Sequence, residues 1–414
     1  MAFRTHGKYV SGWSSNRWCR DVRLKEQRLF TSLVKMNENR RRRVKLVDQA
    51  KTEEIMSDFD KNTVGQAALT FSEPRRSFLK KIAGAAAVGA APAAMMSPAV
   101  LLAADEPQFK LKLGISLADT HSIPKGLKLA TADILRESQG KLSIEVFANS
   151  QLGSDTDMMS QVRSGGLDMF TTAGQVWGGL MPVASITATA FAFADYKTVW
   201  SAVDGELGAH IRSGFSRFGL VPMGKAYDHG FRQITTSARP ILTPQDLSGL
   251  KIRVPASPII VSLFRLIGAA PVSMPYAEAY TALQTKVADG QENPLGVVET
   301  AKFYEVQKYC SLTSHAWDGF WLVANKRAWD KIPENLREMA MRIFDENADK
   351  QRAENAALET SLITSLAGRG VAFNKVDRDP FIKAMKSNTY YTDWKEKIGP
   401  EAWSILEKYT GPLA

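Results

Sequence analysis

Arg253 sits in a short apolar run, Lys251-Ile252-Arg253-Val254-Pro255. Successive side chains of a strand point to opposite faces, so Ile252 and Val254 would share one face and Arg253 would occupy the other. A guanidinium placed there can reach toward water, pair with a carboxylate of the protein, or receive an external anion through two parallel charge-assisted hydrogen bonds. The residues alone leave all three open. Further on, Glu292 precedes Asn293; a carboxylate there could move protons in an enzyme or hold the asparagine or a hinge in place. Trp177, Trp317, Asp318 and Trp321 suggest a pocket with an aromatic wall and one acidic acceptor. The plainer alternative makes the tryptophans core residues and Asp318 a surface or hinge residue. His121, His210, His229 and His315 are scattered, with no metal-ligand spacing and no nucleophile beside them. No HExxH, GxxxxGK[ST] or GxSxG string occurs, and two cysteines, Cys19 and Cys310, are too few for a disulfide framework or a cysteine-based zinc site. No cofactor and no metal are expected.

The elements around these residues alternate between two periods. Leu111–Ile115 reads as a strand. Pro124 opens a helix with Leu127, Ala130, Ile134 and Leu135 apolar, ended by Gly140. Leu142, Ile144 and Val146 form a second strand. Asp155 caps a helix that turns Met158, Met159 and Val162 to one face and stops at Gly165-Gly166, before a third strand over 167–172. This β-α-β-α-β order implies a parallel sheet covered by helices. Downstream, 251–255 is a strand stopped by proline. Residues 275–288 read as an amphipathic helix with Tyr280, Leu283 and Val287 inward, closed by Gly290. Pro333 opens the longest helical stretch, to about residue 366. At about 1.5 Å per residue it would reach roughly 50 Å, long enough to brace two lobes.

The composition, 44% hydrophobic and 23% charged over 414 residues, is that of a globular protein of two or three domains. The net charge of +10 resides in residues 1–81, which carry 19 basic and 9 acidic side chains; residues 82–414 balance to zero. The body therefore lacks the basic footprint of a nucleic-acid binder. Arg75-Arg76-Ser77-Phe78-Leu79-Lys80 matches the twin-arginine pattern, and an uncharged, Ala- and Gly-rich stretch follows from Ile82 to Ala104. Basic residues, a short apolar core and small residues come in the order of an export signal, with cleavage expected near Ala104. Pro92, Pro98 and the glycines weigh against a membrane anchor. The basic segment 1–71 has two readings, a nucleic-acid arm or sequence upstream of a later start such as Met56; either way it should be absent from the mature protein. That leaves a single thiol, Cys310, which suits an oxidising periplasm.

GLKIRVP at 249–255, ALQT at 282–285 and DGQENP at 289–294 resemble the solute-binding proteins of tripartite ATP-independent periplasmic (TRAP) transporters, the DctP family. SQLGSD at 150–155, GFRQITTSARPI at 230–241 and NPLGVVETAKFYEVQKY at 293–309 extend the likeness over nearly all of 108–400. The resemblance implies an α/β, two-lobed periplasmic binding protein of the Venus-flytrap type, with a hinge and a long bracing helix. Residues 105–229 plus 319–358 would form lobe I, and 230–318 plus 359–414 lobe II, after a basic segment 1–71 and a signal peptide 72–104. It further implies that Arg253 pairs with a ligand carboxylate and that Arg232 lies near the same carboxylate. Asn293 would hydrogen-bond the ligand, Tyr276 would line the pocket, and Ser116 and Asp155 would meet the ligand from the first lobe. Sialic-acid binders of the family carry a glutamate where this chain has Ala173 and an asparagine where it has Ala256, so sialic acid is a poor expectation here.

The expected function is capture of an organic acid, mono- or dicarboxylate, by lobe closure, and its delivery to a TRAP membrane permease. A monomer is expected, with no nucleic-acid partner. Two other classes are weighed against it. A periplasmic sensor feeding a signalling receptor would show a neighbouring kinase in place of permease subunits. A periplasmic enzyme would turn over its bound ligand.

Overall fold

A computed structural model describes residues 106–413; the twin-arginine segment and the basic stretch before it lie outside the described residues. The strands are β1 (Phe109–Gly114), β2 (Leu142–Phe147), β3 (Met169–Ala173), β4 (Leu220–Pro222), β5 (Tyr227–Phe231), β6 (Gln233–Thr236), β7 (Lys251–Val254), β8 (Ala270–Ser273), β9 (Gly290–Asn293), β10 (Tyr309–Leu312), β11 (Trp317–Asn325) and β12 (Ala372–Lys375). They form two six-stranded sheets. The first runs β2-β1-β3-β11-β4, with β5 also paired to β11; the second runs β12-β10-β6-β9-β7-β8. The parallel start, β2-β1-β3, is the one implied by the βαβ rhythm, and β11 then joins antiparallel. The fold is α/β and two-lobed, as the sequence reading expected.

All nine residues of β11 are buried because both faces of its sheet are covered. Trp317, Trp321 and Val323 join the cluster that holds Trp177 and Phe215. Phe320, Leu322 and Ala324 join the opposite cluster, with Leu127, Ile134 and Phe344. Between the sheets the chain crosses twice at close quarters. β5 ends at Phe231 in one sheet and β6 begins at Gln233 in the other, so Arg232 alone spans the gap. Its N–H donates to the carbonyl of Ala316 (2.8 Å) on the returning segment between β10 and β11. The long helix, Glu334–Gly368, has 35 residues and touches β5 in the first sheet and β12 in the second. At about 1.5 Å per residue it extends roughly 50 Å.

Three local expectations change. The first helix begins at Ser122, not Pro124: His121 caps it, its Nδ1 accepting from the Ile123 N–H at 3.2 Å. The helix Asp155–Ser164 is capped by Ser154, which forms a reciprocal capping box with Asp157, so Asp155 is released for another use. The long helix expected over 275–288 is a 3₁₀ turn, Tyr276–Glu278, followed by a short helix, Ala279–Gln284. Leu283 is buried there as expected, but Val287 is 51% exposed and Gly290 opens β9 instead of closing a helix.

The candidate ligand site between the two sheets

Arg253 lies on β7 with Ile252 and Val254 in the core on the opposite face. It is 1% exposed. Among the described residues its only side-chain hydrogen bond runs from Nη2 to the Met274 carbonyl (2.9 Å), and its buried Nε has no partner. Burial pushes its pKa down to about 10 against the opposing pull of Glu292. At neutral pH it is therefore a desolvated cation whose fork is largely unused. Buried charges are ordinarily paired, because an unpaired one is costly.

Arg232, the residue between the sheets, is the opposite case. Its Nη2 donates to Glu292 Oε1 (2.8 Å), to the Glu292 carbonyl (2.8 Å) and to Asn293 Oδ1 (3.0 Å). Its Nε donates to Glu292 Oε2 and its Nη1 to Asp318 Oδ2 (3.0 Å). It thus ties β9 of one sheet to β11 of the other at the crossing point. Glu292 Oε2 also meets His315 Nε2 at 3.1 Å. Burial would raise the Glu292 pKa, but the charge of Arg232 and the bonds from His315 and Arg232 hold it at about 2. Glu292 therefore braces the crossing, and Asn293, whose amide donates to Gln291 Oε1 (2.6 Å), belongs to the same network.

Arg253, Arg232, Asn293, Tyr276, Asp155, Ser116 and Asp318 line one cavity together. Trp317 is not among them. Its indole N–H donates to Asp228 Oδ1 (3.1 Å), and its ring stands edge-on to Trp200 and Phe193 in the core. Trp177 and Trp321 are likewise core residues, so the aromatic wall expected from the tryptophans is absent from this cavity. Asp155, freed from capping, is 7% exposed and accepts from Thr172 Oγ1 (3.3 Å). Burial pushes its carboxyl up, while Ser116 and the Arg253 charge pull it down.

Sequence reasoning missed Gln175 and His229, which line the same cavity. A β-bulge places His229. Asp318 pairs with Gly230 and Gly319 with Asp228, leaving His229 as the extra residue on β5. Gly230, at φ 115°, permits the kink. Gly319 is required opposite, since a Cβ there would lie 2.4 Å from the Trp317 ring. A glycine inside each strand was the available signal.

The cavity has a volume of only about 30 Å³. That is room for about two waters. Ser116 and Tyr276 also line an adjoining open groove of about 520 Å³. An organic acid can reach Arg253 from that groove only if the walls part. Among the described residues, no three His, Cys, Asp or Glu side chains converge as they would on a metal ion.

Residues 113–395 match the model of the DctP family, described as bacterial extracellular solute-binding protein, family 7. The 2,3-diketo-L-gulonate-binding periplasmic protein YiaO of Escherichia coli is 35% identical over 61% of this chain and 77% of its own length. The sialic acid-binding periplasmic protein SiaP of Vibrio cholerae is 29% identical over 72% and 91%. Among solved structures, the sugar acid binding protein DctPAm of Advenella mimigardefordensis, in complex with galactonate, superposes with a TM-score of 0.71. It is 26% identical, over 75% of this chain and all of that one. A TRAP periplasmic solute-binding protein of Sulfurospirillum deleyianum with bound succinate gives 0.69 at 26% identity, over 74% and 99%. With the family matched across most of its length and the cleft built around an under-used arginine, this chain belongs to the DctP family, the solute-binding proteins of TRAP transporters.

Proposed function

We propose that the chain is exported by the twin-arginine pathway, works in the periplasm as a monomer, and captures an organic acid by closing its two lobes, one built around each sheet. Arg253 grips the carboxylate, and the closed protein is read by the TRAP membrane subunits. The observation that carries this reading is the buried Arg253 guanidinium, with one side-chain hydrogen bond and an unpartnered Nε, in a cavity between two sheets joined by short crossings. The relatives named above bind, or were solved with, acids of different lengths; the feature their ligands share is the carboxylate. Two charge-assisted hydrogen bonds of roughly 1.5–3 kcal/mol each supply about 3–6 of the roughly 8 kcal/mol that micromolar affinity represents, and contacts with the walls supply the rest. Because the ligand touches both walls only when they are together, its binding energy shifts the hinge equilibrium toward closure.

A thermal-shift screen against organic acids tests this. A ligand at 100 times its dissociation constant adds about 2.7 kcal/mol of stability. Stabilisation by at least one carboxylate, and none by its neutral amide, is the expected outcome; a panel without any stabilising acid argues against the reading. Export is checked separately by intact mass. The periplasmic species should begin near Asp105, and retention of residue 1 in that species contradicts it.

A further inference from the structure

The two walls of the cavity are chemically unlike. On the side of the second sheet stands a donor, Arg253, with its unpartnered Nε. On the side of the first sheet stand acceptors. Asp318 Oδ1 and Gln175 Oε1 are buried and, among the described residues, neither has a hydrogen-bond partner. Asp318 and Gln175 are 0% and 1% exposed. The orientation of the amide is fixed by its other end: Gln175 Nε2 donates to Asp318 Oδ2 at 2.6 Å, and turning it over would set two acceptors against each other. His229, carried into the cavity by the bulge, is 4% exposed; its Nδ1 lies 3.6 Å from Asp318 Oδ2, just beyond hydrogen-bond distance, and its Nε2 has no partner. Burial holds the imidazole neutral at neutral pH, so it offers one donor and one acceptor.

Buried polar atoms in folded proteins are nearly always satisfied, so these atoms describe the ligand that fits between them. Plain dicarboxylates fail at this wall. A second carboxylate brings acceptors and negative charge against Asp318 Oδ1 and Gln175 Oε1. An ammonium would supply donors, but it would sit beside the Arg232 guanidinium, whose Nη1 lies 3.0 Å from Asp318 Oδ2. It would have to lose its water beside that guanidinium. A hydroxyl meets neither objection: it is neutral, donates to Asp318 or Gln175, and accepts from the N–H of His229.

We propose that the ligand is a polyhydroxy monocarboxylate, with at least two hydroxyls beyond the acid group, and that Asp318, Gln175 and His229 form the wall that reads those hydroxyls and rejects a second carboxylate. This rests on the reading that Arg253 takes the carboxylate. The acid end then belongs to the second sheet and the hydroxyl end to the first, so a ligand with both ends links the two lobes.

Titration calorimetry of the exported protein with acids of matched length tests it. The four-carbon set is erythronate, threonate, succinate, butyrate and 4-aminobutyrate; the six-carbon set is gluconate, galactonate, adipate, hexanoate and 6-aminohexanoate. A polyhydroxy acid should bind at least tenfold more tightly than the dicarboxylate, the plain acid and the amino acid of its own length. Gln175→Met should shrink that margin to about threefold while the plain acid binds as before. A dicarboxylate or amino acid that binds as well as the polyhydroxy acids overturns the inference; if Arg253→Met abolishes that binding, the carboxylate anchor itself stands. Equal binding of the neutral alditol, or of every acid to Arg253→Met, overturns the anchor as well. The wild-type margins decide the matter even if Gln175→Met does not fold.

Discussion

Arg253→Met should weaken carboxylate binding by more than about 100-fold and leave the unliganded protein as stable as the wild type, or more so. Both halves follow from the same geometry. In the unliganded protein the guanidinium is buried with a single bond, to the Met274 carbonyl. Burial, its largest influence, lowers its pKa to about 10. Replacing such a charge by an apolar chain of similar volume is often neutral or stabilising. In the complex the same side chain would supply two charge-assisted bonds of roughly 1.5–3 kcal/mol each, and about 1.4 kcal/mol is a factor of ten. Arg253→Lys should also bind poorly, because an ammonium cannot present the two-pronged donor that matches a carboxylate. Calorimetry for affinity and thermal unfolding for stability read the two halves independently. Wild-type affinity in Arg253→Met removes the anchor.

Arg232→Met should do the reverse. Arg232 holds two buried carboxylates, Glu292 and Asp318, from different sheets. Removing it strands both, and breaking a buried pair costs about 3–5 kcal/mol. For a folded body of about 310 residues that corresponds to roughly 5–8 °C in melting temperature. The loss should depend on pH in a definite direction. The pKa of Glu292 is depressed from 4.5 to about 2 in the folded protein. Its contribution to stability is therefore fully present above about 4.5 and is lost as the pH falls through the interval down to about 2. In Arg232→Met burial is no longer outweighed by that charge and pushes the Glu292 pKa up, so the gap between variant and wild type should be widest near neutrality and narrow as the pH falls toward about 2. A gap independent of pH across that interval contradicts the role given to the pair. So does a variant that melts with the wild type.

The contrast between these arginines marks how far the sequence could be read. Period-two alternation set Arg253 opposite Ile252 and Val254 but left water, a carboxylate of the protein and an external anion all open as its partner; the resemblance to the DctP family selected the last. Resemblance named Arg232 too, but nothing in GFRQ says that Glu292 and Asp318 converge on it. That convergence exists only because β5 leaves one sheet and β6 enters the other with a single residue between them. Asp155 looked like a helix cap because caps favour short acidic or hydroxyl side chains. Ser154, one residue earlier, satisfies the same preference and takes the position. The tryptophans stayed open between pocket wall and core because residue type does not distinguish the two; Trp317 and Trp321, on one face of β11, both fell to the core. His229 and Gln175 stayed hidden for a different reason. The bulge that turns His229 into the cavity is a register shift, visible in sequence only as the glycines at 230 and 319. The parallel order of the first three strands was readable because each element there is short, regular and bounded by its own glycine.

The most direct test of the account is a crystal structure of the exported protein with a tightly bound acid. The predicted result has the ligand carboxylate within about 3 Å of both Arg253 Nε and a terminal nitrogen of the same guanidinium. Arg232 should keep Glu292 and Asp318. A structure in which Arg253 is instead paired with Asp155, while the acid group lies elsewhere in the cleft, contradicts it.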